Sequence, residues 1–123
     1  MKILVTDDSK MARKMVIKTL NESTNIQLEI LEAQNGAEAL ELYKQNLPKL
    51  VFLDLTMPIM DGFETLEKIK EFNNEAKVII ISADIQKLSI DKALLLGAFN
   101  FIKKPIDSVK MQQILDKINK RDK

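Results

Sequence analysis

The sequence predicts an α/β protein, one domain built on an open, doubly wound parallel sheet. Two observations carry this. Three short runs, "ILV" from Ile3, "LVFL" from Leu50 and "VIII" from Val78, are apolar without interruption. A strand with one wet face alternates, whereas an uninterrupted apolar strand is covered on both faces, as parallel strands are beneath helical crossovers. Between the strands, apolar residues recur at helical spacing. Strand and helix therefore alternate along the chain, and right-handed crossovers wind such a chain onto both faces of one sheet.

Taken in order, "KILVT" (Lys2–Thr6) is a short β-rich run. Ser9 follows as an N-cap, with Ala12, Met15, Val16 and Thr19 at helical spacing behind it. "IQLEILEA" (Ile26–Ala33) reads as the second strand, and Asn35-Gly36 turns the chain into a helix marked by Ala39, Leu40 and Tyr43. "LVFLD" (Leu50–Asp54) is the third strand; Phe63, Leu66 and Ile69 mark the helix after Gly62. "KVIIIS" (Lys77–Ser82) is the fourth, followed by a helix through Ile90, Ala93 and Leu94 that Gly97 ends as a left-handed residue. "FNFIK" (Phe99–Lys103) is the fifth, and Val109, Met111, Ile114, Leu115 and Ile118 define the last helix. No linker, repeat or low-complexity segment interrupts the pattern, so one domain is expected to fill residues 1–123.

Composition narrows the chemistry. With neither cysteine nor histidine, disulfides, thiolate or imidazole metal sites and triads built on those residues are excluded. Oxygen ligands, lysine and hydroxyls remain. The formal net charge of +1, from 19 basic and 18 acidic residues, is not a nucleic-acid footprint. No apolar run approaches the ~20 residues a membrane span needs. "MKILVTDDSK" reads as a strand followed by acids rather than a signal peptide, and a cytoplasmic protein is expected.

In a doubly wound sheet, ligands bind at the carboxyl ends of the strands. The first strand delivers Asp7 and Asp8 there, the third Asp54, the fourth Ser82 and the fifth Lys104 followed by Pro105. Singly, each has an ordinary reading: a solvated turn, a cap, a surface lysine. Together they place three carboxylates, a hydroxyl and an ammonium on one rim. Crowded carboxylates repel, and a hard divalent cation such as Mg²⁺ resolves the conflict. The set suits phosphoryl transfer, with cationic groups and a hydroxyl for the equatorial oxygens and a carboxylate as nucleophile.

These residues resemble the receiver domain of two-component response regulators, of the CheY type. The motifs are "VTDDS" (Val5–Ser9), "AQNGAEAL" (Ala33–Leu40), "LDLTMPIMDG" (Leu53–Gly62), "IISADI" (Ile80–Ile85) and "GAFNFIKKP" (Gly97–Pro105). The resemblance implies the strand order 2-1-3-4-5, for which CheY-type receivers are themselves a type example. It implies that Asp54 is the phosphoacceptor, that Asp8 and Asp54 bind Mg²⁺ with the backbone carbonyl of Thr56, and that Asp7 acts through a metal-bound water. Ser82 matches the switch hydroxyl, where threonine is commoner, and Phe101 the switch aromatic, often tyrosine. Lys104 matches the lysine that pairs with the acyl phosphate, and the Lys104-Pro105 bond is expected to be cis. Thr56 and Asp84 match the positions that tune phosphoryl lifetime.

The function implied is a stand-alone regulator without an effector domain, not an enzyme in its own right. It would take a phosphoryl group from a sensor histidine kinase by self-catalysed transfer. It would then change the surface of its fourth helix, fifth strand and fifth helix to bind a target protein, as in chemotaxis, as a monomer or a phosphorylation-dependent dimer. Leu88 and Leu95, opposite the apolar stripe of the fourth helix, are candidates for that surface; a rotated helix would bury them instead. A phosphorelay intermediate and a receiver from a larger regulator stay open. A flavodoxin-like flavin binder would want a hydroxyl- and glycine-rich loop where "TDDSKMAR" stands, and a dehalogenase-type phosphatase two aspartates on one strand end, where "DLT" stands.

Overall fold

A computed structural model describes residues 1–83 and 86–121, with side chains inside the last helix described to residue 118. The elements are β1 (Lys2–Thr6), α1 (Lys10–Ser23), β2 (Glu29–Ala33), α2 (Gly36–Asn46), β3 (Leu50–Leu53), α3 (Gly62–Phe72), β4 (Val78–Ser82), α4 (Lys87–Leu95), β5 (Asn100–Lys103) and α5 (Ser108–Arg121). The strands form one sheet in the order β2-β1-β3-β4-β5, and every pairing is parallel. The doubly wound fold read from the sequence is the fold observed.

The continuous apolar strands are buried from both sides, and their alternate side chains feed two cores. Leu4, Val51, Leu53, Val78 and Ile80 point to one, completed by Ala39, Tyr43, Leu66, Ile69 and Ala93 of α2, α3 and α4. Ile3, Val5, Leu50, Phe52, Ile79 and Ile81 point to the other, completed by Val16 and Leu20 of α1 and Met111, Ile114, Leu115 and Ile118 of α5. Each large side chain buried in this way contributes roughly 1.5–3 kcal/mol relative to exposure. The central strands are thus clamped, and the residues at their carboxyl ends inherit that rigidity.

Four helices start on side-chain caps that satisfy a free amide, among them α5, where Asp107 Oδ1 accepts from Lys110 N at 2.8 Å. Ser9 Oγ accepts from Ala12 N at 3.2 Å, Asn35 Oδ1 from Glu38 N at 2.8 Å, and Asp61 Oδ1 from Glu64 N at 2.9 Å. Asn35-Gly36 is therefore a helix start rather than a separate turn. Gly97 lies at φ 100° just past α4, the left-handed position that glycine tolerates best.

Two features differ from the sequence reading. The second strand begins at Glu29, not Ile26, because β1 begins at Lys2 and the register pairs Lys2 with Glu29. Ahead of Glu29 the neighbouring chain is down to its first residue, Met1, whose ammonium donates to the Gln27 carbonyl at 3.2 Å. Met15, Leu94 and Val109, counted among the inward stripes, are instead exposed. Each lies one or two residues from a buried position, and about 100° of rotation per residue carries it out of the core. None of the described helices is long and apolar enough to cross a membrane.

Candidate functional site

The carboxyl ends of β1, β3, β4 and β5 bring the acidic set together. Carboxylate oxygens of Asp7, Asp8 and Asp54 lie within 4.8 Å of one another, with Asp7 and Asp54 buried and Asp8 exposed. Asp54 follows clamped β3 directly, and its amide continues the sheet ladder, donating to Thr6 O at 3.1 Å. Lys104 follows β5; its amide donates to Ser82 O at 2.9 Å, which ties the lysine to the end of β4. Its Nζ stands 2.8 Å from Asp7 Oδ2 and 3.3 Å from Asp54 Oδ1. Ser82 is buried at the same rim. The Lys104-Pro105 peptide bond is cis.

The surroundings hold this geometry. Ser9 N donates to Asp7 Oδ1 at 2.9 Å, and Arg13 Nη1 donates to the Asp7 carbonyl at 2.7 Å. Arg13 is itself oriented by Glu32, Nε to Oε1 at 2.9 Å, so α1 and β2 together brace the acidic turn. The loop after β3 folds back on itself: Gly62 N donates to Leu55 O at 2.8 Å. A Cβ on Gly62 would collide with the Asp54 carbonyl oxygen and Leu55 Cα, so only glycine allows this closeness. Within the same loop Ile59 sits at φ 71°, with Met60 N donating to Pro58 O at 2.7 Å. That γ-turn conformation is uncommon for a β-branched residue.

Electrostatics follow from burial and crowding. Burial raises the Asp54 carboxyl above its ordinary range, and the charge of Asp7 raises it further. The Lys104 ammonium and the Leu55 amide oppose this without reversing it. Burial works against the Lys104 ammonium, but its hydrogen bond to Asp7 and the charges of Asp54 and Asp7 outweigh that, so its pKa is raised. One ammonium against three carboxylates leaves excess negative charge among oxygen donors. A hard divalent cation with oxygen ligands fits such a donor set.

The remaining predicted residues differ in where they stand. Thr56 is exposed in the loop two residues beyond Asp54. Phe101 is half-buried on β5 opposite Ile80, against the core under α2, α3 and α4. Asp84 lies outside the described residues. Leu88 and Leu95 are not part of the pocket; they are 82% and 88% exposed on α4. Sequence reasoning missed Arg13, Glu32, Gly62's close approach and Thr6, whose buried hydroxyl has no hydrogen-bond partner among the described residues. A base one turn into the helix after "TDD" was the available signal for Arg13.

Comparison with known proteins identifies the relatives of this chain. The family model described as "Response regulator receiver domain" matches residues 3–116. The chemotaxis protein CheY of Bacillus subtilis is 39% identical over 119 residues, 97% of this chain and 95% of that one. CheY of Treponema pallidum is 44% identical over 113 residues, 89% of this chain and 76% of that one. Among solved structures, a Borrelia burgdorferi CheY crystallised with CheX, BeF3 and Mg²⁺ superposes with a TM-score of 0.85 at 36% identity, covering 96% and 88% of the two chains.

Proposed function

The chain belongs to the response regulator receiver domain family, and from that premise we propose that Asp54 accepts a phosphoryl group from a phosphohistidine of a sensor histidine kinase. The observation that carries this is the pocket itself: a buried carboxylate at the end of a clamped strand, 3.3 Å from a lysine ammonium and within 4.8 Å of two further carboxylates. An Asp54 Oδ lone pair forms the new O–P bond as the P–N bond to imidazole breaks. The electron pair leaves with the imidazole, which takes a proton from water.

Asp8 and Asp54 would hold Mg²⁺ directly with the Thr56 carbonyl, and Asp7 through a water. When bound, the ion neutralises charge on the transferring oxygens, the main service phosphoryl transfer needs. The protein's own groups do the rest. Lys104, positioned by Asp7, donates to one phosphoryl oxygen and the Ser82 hydroxyl to another. Thr56, two residues beyond Asp54, and Asp84, two beyond Ser82 in the sequence, would set the lifetime of the acyl phosphate. Drawing Ser82 inward frees space for Phe101, and the surface of α4, β5 and α5, with Leu88 and Leu95, changes toward its target-binding form. The change occurs in a cytoplasmic monomer or a phosphorylation-dependent dimer. The chain catalyses only its own phosphorylation and dephosphorylation, with no separate substrate.

The near full-length match to CheY of Bacillus subtilis supports a stand-alone chemotaxis-type regulator. A second reading, a receiver serving a larger protein or a relay, has support of its own. The protein-glutamate methylesterase/protein-glutamine glutaminase of Clostridium acetobutylicum is 34% identical over 98% of this chain, which covers 35% of that protein. The phosphoacceptor reading is tested with phosphoramidate and Mg²⁺, read by intact mass. The expected result is one added phosphoryl group, absent in Asp54→Asn; a parent protein that gains nothing overturns it.

A further inference from the structure

Arg13 acts on the acidic rim from outside it. Strand β1 ends at Thr6 and β2 at Ala33, so Asp7 stands one step past the regular sheet. Its amide still donates to Ala33 O at 3.1 Å, but its carbonyl accepts a hydrogen bond from a side chain, Arg13 Nη1 at 2.7 Å. The same guanidinium gives its Nε to Glu32 Oε1 at 2.9 Å. Only 13% of the Arg13 side chain is exposed, so this base is committed to two acceptors rather than left in solvent. A planar guanidinium serves two acceptors at a fixed angle, which a lysine ammonium on its flexible stem does not.

The bond reaches past Asp7 to its neighbour. The Asp7 carbonyl and the Asp8 nitrogen share one planar peptide unit, so a hold on the oxygen fixes where the Asp8 backbone begins. The three acids are otherwise secured unequally. Asp7 has Ser9 N at 2.9 Å and Lys104 Nζ at 2.8 Å on its carboxylate, whereas Asp54 has Lys104 Nζ at 3.3 Å and follows clamped β3. Asp8 is exposed, and no hydrogen bond or ion pair engages its side chain among the described residues. Its carboxylate nevertheless stands within 4.8 Å of the other two, placed there by the backbone that carries it.

We infer that Arg13, oriented by Glu32, is a positioning residue for divalent-cation binding, holding the Asp7–Asp8 peptide so that the Asp8 carboxylate stays beside those of Asp7 and Asp54. The inference rests on the Mg²⁺ reading of the three acids and adds two residues outside the ligand set. Mg²⁺ tolerates little departure from octahedral geometry, so the placement of a single carboxylate counts. Removing a residue that orients metal ligands typically costs about 10–100-fold in affinity. A plain positive charge at Arg13 would act with the opposite sign. A cation beside the acids repels a second cation, and its removal would tighten metal binding.

The test titrates Mg²⁺ into the unphosphorylated protein by calorimetry, with the Mg²⁺-dependent rise in Tm as a second reading of affinity. Arg13→Ala is expected to weaken binding about tenfold or more. Arg13→Lys keeps the charge but reaches only one of the two acceptors, and its affinity is expected to fall between that of Arg13→Ala and the parent. It carries the test where the alanine variant is too unstable to titrate. Glu32→Gln keeps an acceptor for Arg13 and is expected to bind more tightly than Glu32→Ala. The double variant Arg13→Ala/Glu32→Ala is expected to bind no more weakly than Arg13→Ala alone, because both residues act through one bond to Asp7. Unchanged Mg²⁺ affinity in Arg13→Ala, even with a lower metal-free Tm, overturns the inference by making the brace purely structural. Tighter binding overturns it by making Arg13 a repelling charge, and parental affinity in Arg13→Lys overturns it as well. A parent protein that binds no Mg²⁺ overturns the metal reading itself, and the inference with it.

Discussion

Helices α3 and α4 lie on the same face of the sheet, yet they are held very differently. Helix α3 starts on an Asp61 cap and buries Gly62, Thr65, Leu66 and Ile69. Helix α4 has no side-chain cap bond at Gln86 and fully buries only Ala93, while Leu88, Leu94 and Leu95 face water. Asp54 is joined to the tightly packed side: the loop from Asp54 to Gly62 runs into α3 and touches its own start. The proposed output surface belongs to the loosely held side. Local stability follows buried contacts and satisfied backbone groups. The molecule therefore holds the Asp54 side stiff and leaves the proposed output side easier to move.

The largest expected effect breaks the comparison at its packing. Leu66→Ala should cost about 2–5 kcal/mol in urea unfolding, the range for a fully buried leucine, while Leu95→Ala should stay within about 0.5 kcal/mol. Equal losses would mean that α4 is packed as firmly as α3.

Next comes the charge stored on the stiff side. The folded-state pKa of Asp54 is raised, so its protonated form favours folding. The stability it contributes is present at acid pH and is lost as pH rises from the ordinary carboxylate range through the raised value. Removing the charge while leaving Lys104 its bond to Asp7 should therefore stabilise the metal-free protein at neutral pH. Asp54→Asn is expected to raise Tm by about 3–6 °C, the response to ~1 kcal/mol in a domain of this size. The gain should shrink as pH is lowered through the raised pKa. A lower Tm at neutral pH would show Asp54 to be net stabilising.

The smallest effect concerns the caps. Asp61→Ala should cost ~1 kcal/mol, whereas Gln86→Ser, which offers α4 a cap, should gain a few tenths to about 1 kcal/mol. The second change should also slow amide exchange in α4. If it leaves exchange unchanged, the missing cap is not what loosens that helix.

Much of this was legible in the residues. Uninterrupted apolar runs announced β1, β3 and β4 because parallel strands have no wet face, and the acidic set was legible because a strand end fixes where its next residue stands. What could not be read depends on three-dimensional closeness. Whether Lys104 lies nearer Asp7 or Asp54 depends on how the segment after β5 returns to Ser82. The start of β2 depends on where its neighbour begins. The need for glycine at position 62 comes from the Asp54 carbonyl eight residues earlier, and Leu94 was misread because α4 centres on the small Ala93. The exposure of Leu88 and Leu95, left open by periodicity, is settled by that same rotation.

The most direct test of a stiff acceptor joined to a loosely held responder is amide hydrogen exchange with Mg²⁺, before and after phosphoramidate. The predicted result is a change in protection concentrated in α4 and β5, little change in β3 and α3, and none anywhere in Asp54→Asn. Full phosphorylation of Asp54 with α4 exchanging as before would contradict it.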